Sequence, residues 1–101
     1  MKNEYTIHME CKQANERAEE LADIAESLRA IRKNDVDDFT AMTGRYWTGE
    51  NSRAFLGKVN QAVSKLDENI SRIDAAAQTI SEIAEQTKAA ELAALQLAGK
   101  G

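Results

Sequence analysis

Residues 56–84 read LGKVNQAVSKLDENISRIDAAAQTISEIA. Their apolar members, Leu56, Val59, Val63, Leu66, Ile70, Ile73, Ala77, Ile80 and Ala84, succeed one another by strict steps of three and four. That rhythm keeps one stripe on one side of an α-helix, and its mean period of about 3.5 residues is the pattern of knobs-into-holes packing against another helix. Large aliphatics come first; Ala77 and Ala84 then allow a neighbouring helix to approach closely. Beyond Thr87 the stripe thins, although Leu92, Leu95 and Leu97 continue some apolar surface. The spacing predicts a helix over about 52–96, with Gly99, Lys100 and Gly101 fraying at its end.

Working back toward the N-terminus, Ala14, Ala18, Leu21, Ala25 and Leu28 repeat the same alternation, widened on one side by Ile24 and Ile31. Glu16, Arg17, Glu19, Glu20 and Asp23 fall on the other faces, as an amphipathic helix requires. Arg32, Lys33, Asn34 and Asp35 interrupt the stripe, which resumes at Val36, Phe39, Met42 and Tyr46. One long helix with a polar patch competes with a break near Asn34. With no proline, and no glycine before Gly44, the continuous helix over about 8–45 is the better reading.

Between the two stripes, Gly44, Thr48, Gly49, Asn51 and Ser52 gather turn and cap residues into the only convincing connector, placed at 46–51. Thr48, Asn51 and Ser52 are its candidate N-caps. Trp47, the sole tryptophan, stands there with an indole able to close the end of a helix pair. Gly49 suits a positive φ where the chain reverses, and Phe55 returns to the core. Gly57 is either a mild helix defect or a place where another backbone comes close.

Composition agrees with an all-α chain and narrows its partners. There is no proline, and strand-forming runs and Asn-Gly or Asp-Gly hairpin signals are missing. The 101 residues form at most one small domain. A net charge of −4 with bases scattered along the chain is no footprint for nucleic acid. No apolar run is long enough to span a membrane. The start, Met1-Lys2-Asn3-Glu4-Tyr5, has no apolar core after its Lys, so no secretory signal peptide is expected there.

Sites of chemistry do not emerge. Cys11 is the one cysteine and His8 the one histidine; two ligands three residues apart fall short of a zinc site, and a di-iron bundle needs Glu-x-x-His pairs. No nucleophile stands beside a base, and the acidic run Asp35, Asp37, Asp38 reads as a solvated face rather than a cation site. No enzyme, cofactor or metal is expected.

Two antiparallel helices make a single layer, in which each stripe is covered on one side only. Leaving six or more Leu or Ile side chains half covered sacrifices on the order of 5–10 kcal/mol, comparable with the whole stability of a small domain. The usual remedy is a second hairpin and a four-helix bundle. The expected interface comprises Leu21, Leu28, Leu56, Val59, Val63, Leu66, Ile70, Ile73 and Ile80.

At Trp47-Thr48-Gly49, followed by Ser52 and Phe55, the sequence resembles the WXG family of helical hairpins exported by type VII secretion systems. The resemblance covers nearly the whole chain: its length, the mid-chain Trp-x-Gly and the two amphipathic helices around it. It implies an antiparallel hairpin that pairs with itself as a homodimer, with a related hairpin, or with the helical leader domain of an effector. It further implies delivery to a secretion ATPase in a Gram-positive bacterium, virulence-associated, and secretion from the cytoplasm without a cleavable signal peptide. Family members carry near the C-terminus a Tyr followed by an acidic residue. Here no Tyr lies beyond Tyr46; Glu91 is then the acidic half of a degenerate signal, or a partner supplies the signal instead, and Glu91, Leu92 and Leu95 are the candidate docking tail. Outside the resemblance stand two rivals: a cytosolic coiled-coil structural adaptor, and a membrane-active amphipathic protein, against which the mixed charge of the polar faces argues.

Overall fold

The computed structural model describes residues 2–47 and 49–100. Among the described residues there is no strand, and nearly all are helical: the chain is all-α. Helix α1 spans Glu4–Ile31, a π-helical segment Arg32–Val36 follows without a break, and α2 runs Asp37–Tyr46. Helix α3 covers Glu50–Lys100 as one uninterrupted stretch of 51 residues. Among the described residues no helix is long and apolar enough to cross a membrane.

The helix boundaries lie outside the expected ones. Helix α1 begins at Glu4 rather than near residue 8 because Asn3 caps it: the backbone N–H of Thr6 donates to Asn3 Oδ1 at 2.8 Å, and that of Ile7 to the Asn3 carbonyl at 3.1 Å. A side-chain oxygen there satisfies one of the first N–H groups that a helix leaves unpaired. At the other end α3 continues past 96 to Lys100, so Gly99 and Lys100 are helical rather than frayed.

The polar interruption near Asn34 is neither a break nor an ordinary α-helix. A π-turn holds one residue more than an α-turn, and the five residues Arg32–Val36 adopt it while Ile31 and Asp37 on either side keep right-handed helical backbone. That extra residue corrects the sequence reading of α2. The residues turned toward the neighbouring helix are Val36, Thr40 and Thr43, all half-buried, whereas Phe39 and Met42 of the expected stripe are 46% and 51% exposed. Thr40 offsets its hydroxyl by donating from Oγ1 to the Val36 carbonyl at 2.9 Å.

The helices organise into two compact units. One comprises the described residues of Met1–Ala22 and Asp74–Gly101, the other Asp23–Ile73. Each is an antiparallel pair, with an N-terminal stretch of helix against a stretch of α3. In the first, the seam is built from Ile7, Cys11, Ala18, Ala77 and Ala84, all buried. In the second, Ala25 and Ile70 are buried and Ser52 is the one buried polar residue among those described. Among the described side chains no large one is fully enclosed in either unit. A single layer of helices cannot enclose one, because each side chain has neighbours on one side only.

Candidate functional site

The turn between α2 and α3 is shorter than expected: Tyr46 still belongs to α2 and Glu50 already to α3. Trp47 leaves the helix with extended backbone, φ −131° and ψ 112°, while its N–H closes the last turn on the Thr43 carbonyl at 2.9 Å. Gly49 takes φ +111°, a conformation that L side chains rarely adopt and glycine enters freely. Its carbonyl accepts the Arg53 N–H at 3.1 Å, so Gly49 itself sits where α3 begins. The candidate caps are corrected accordingly. Asn51 and Ser52 lie inside the first turn of α3, and Thr48 lies outside the described residues. Ser52 instead points its hydroxyl back, donating from Oγ to the Gly49 carbonyl at 2.8 Å, and is 3% exposed. Phe55 links the two sides of the turn: its ring lies 5.3 Å from that of Trp47 and 6.4 Å, edge-on, from that of Phe39. Separations of this kind are favourable for aromatic pairs. Trp47 stays nearly half exposed. Trp47, Gly49, Ser52 and Phe55, singled out from sequence, therefore gather at one turn, and Phe39 joins them.

The expected pairing surface divides by unit. In Asp23–Ile73, Leu28, Leu56, Val59, Val63, Leu66 and Ile73 are half-buried and Ile70 is buried. In the other unit Leu21 and Ile80 are half-buried. Gly57 has nothing within 4 Å of the position a Cβ would take, so among the described residues no backbone approaches it. Across the seam of Asp23–Ile73, Arg32 of the π-segment reaches Asp67 through Nε at 3.1 Å and also pairs with Asp37. Those carboxylates, Asp67 first, hold the guanidinium even more firmly charged than usual.

The first unit carries a polar cluster that the apolar periodicity did not disclose. Ser81 Oγ donates to Asn15 Oδ1 at 2.7 Å, and Asn15 Nδ2 donates to Glu85 Oε1 at 3.1 Å and to Cys11 Sγ at 3.5 Å. Lys88 completes it, its Nζ 3.0 Å from Glu85 Oε2. The ammonium of Lys88, and then the amide of Asn15, hold the Glu85 carboxyl below its ordinary value. Burial, reinforced by the Glu85 charge, pushes the Cys11 thiol up. A thiol so placed is a small packed side chain rather than a nucleophile. His8 lies on the exposed side, 3.9 Å from Glu4 Oε1. Among the described residues no three metal-ligating side chains gather.

The tail residues are engaged within their own unit. Glu91 Oε2 lies 3.2 Å from Lys2 Nζ, which also pairs with Glu10. Leu92 and Leu95 are half-buried and line a shallow groove with Glu4 and Gln96. Compared with known protein families, with characterised proteins and with solved structures, the chain matches none.

Proposed function

We propose that this chain is a non-enzymatic, type VII secretion-associated protein, a secreted substrate or the targeting partner of an effector, working by pairing its helices with those of another chain into a four-helix bundle. The observation that carries the reading is the turn: a Trp-x-Gly between long helices, with Gly49 in a conformation that favours glycine and Trp47 tilted against Phe55 yet partly open to solvent. Half-covered apolar residues along the seams supply the reason for a partner. A partly exposed tryptophan packed against neighbouring rings is the kind of residue that dominates binding surfaces.

The test is export from a Gram-positive cell with an active type VII system, with and without its ATPase. The chain should appear in the medium only with the ATPase, alone or with a co-expressed partner. Trp47→Ala should reduce export at least tenfold while Trp47→Phe retains most of it, helicity being unchanged in both. Intact export after Trp47→Ala would sink recognition of the turn.

The cytosolic adaptor has one observation in its favour: Glu91, the acidic residue of the expected tail signal, is tied to Lys2. Retention of the chain inside the cell under every condition would favour that reading.

A further inference from the structure

Ile24, Ile31, Phe39 and Met42 are all large and apolar, and each is close to half exposed. They belong to one unit, Asp23–Ile73. Ile24 and Ile31 are seven residues apart, two turns of α-helix. From Ile31 to Phe39 is eight, which in a straight α-helix would swing the side chain about 80° round the axis. The π-segment between them holds one residue more per turn, and that extra residue returns Phe39 to the line of Ile24 and Ile31. Met42, three residues on, lies about 60° farther round, away from the seam. Ile24, Ile31 and Phe39 therefore form one stripe beside the seam with Met42 at its outer edge, and the π-segment is what makes it continuous. Half of four such side chains is on the order of 300 Å² of apolar surface, comparable with the largest patch on a typical monomer, which is often functional.

The charges beside it select the occupant. By helical period, Asp23, Asp35 and Asp38 fall along the edge of the stripe away from the seam; all three are exposed and make no ion pair among the described residues. Of the bases of this stretch, Arg32 is turned to Asp67 across the seam, Arg29 pairs with Glu26 on the opposite flank, and Arg45, seven residues after Asp38, ends the acidic edge past Met42. A second copy laid on the stripe would bring its own Asp23, Asp35 and Asp38 against these three, like charge against like.

We propose that the Ile24–Ile31–Phe39–Met42 stripe docks an amphipathic helix of a different protein, one whose apolar face is bordered by Lys or Arg that meet Asp23, Asp35 and Asp38. This rests on the reading of the chain as one that works by helix pairing, and adds the face and the chemistry of the partner.

A pair of synthetic 21-residue helices tests it, both with Leu at heptad spacing, one flanked by Lys and the other by Glu at the same positions. Binding is followed by calorimetry, and by emission of Trp47, which touches Phe39 through Phe55. In about 50 mM salt the Lys peptide should bind at least tenfold more tightly than its Glu twin, and the gap should narrow in about 500 mM salt. Ile24→Ser/Ile31→Ser should weaken binding at least tenfold with helicity unchanged, while Ile83→Ser, an exposed apolar residue of the other unit, should change it less than twofold. Asp23→Asn/Asp35→Asn/Asp38→Asn should remove the preference for Lys. A preference that survives the triple change is only the pull of the chain's net charge and overturns the assignment. So does equal binding of the two peptides, or a stable homodimer that shields Ile31. Loss of peptide binding with export intact removes this proposal alone; peptide binding with no export removes the secretion reading alone.

Discussion

Gly49 and Gly57 are both open around the position of a missing Cβ, yet they answer differently to substitution. At Gly49 the backbone decides. With φ at +111°, Gly49→Ala should cost about 1–3 kcal/mol through strain alone. At Gly57 the backbone is ordinary helix, and Gly57→Ala should add about 1 kcal/mol. Urea unfolding of the two variants checks both. A third residue gives a pH dependence. Glu85 titrates below its ordinary value of 4.5 because Lys88 and Asn15 hold its charged form. The unfolded chain therefore binds the proton more readily, so this contribution is complete above the unfolded value and is lost as pH falls through the folded one. Stability should drop on acidification from about pH 5 to pH 3, and Glu85→Gln should flatten that part of the curve.

At the scale of elements the π-segment is the instructive feature. The sequence displays its effect, since the stripe that reaches Leu28 stumbles over Arg32 to Asp35. Resuming the count at Val36, Phe39 and Met42 kept an α-helical phase through a place where the helix gains a residue. Burying Asp35 would have been the consequence of a straight helix, and a carboxylate without a partner is costly to bury. Deleting Asn34 should let the segment become plain α-helix with Val36, Thr40 and Thr43 still facing the seam. That variant should keep its helicity and melt within a few degrees of the parent or above it, whereas inserting a second residue there should lower the melting temperature clearly. The stripe of α3 was fully legible, because no insertion disturbs its steps from Leu56 to Ala84. So was the gathering of Trp47, Gly49, Ser52 and Phe55. Asn3 as a cap and the link of Asn15 to Ser81 and Glu85 were not, since single polar residues carry no period. The latter depends on which residues of two distant stretches come level.

In each unit the deciding quantity is how much apolar surface a single helix pair leaves uncovered. The buried seam residues are mostly alanines, with Ile7 and Ile70 the large exceptions, while the leucines and valines that would contribute most are only half-buried. Alanine seams bring helices close but contribute little burial. The polar cluster around Asn15 fixes which residues meet; a polar residue in a helical seam acts on register more than on stability. A partner helix laid over the seams would complete the burial. The most direct test of that claim is equilibrium urea unfolding of the isolated chain at several low micromolar concentrations. The account predicts marginal stability for the unpartnered monomer, below about 5 kcal/mol. A monomer stable by 8 kcal/mol or more, independent of concentration, would show that two helices satisfy each other and would contradict the need for a partner.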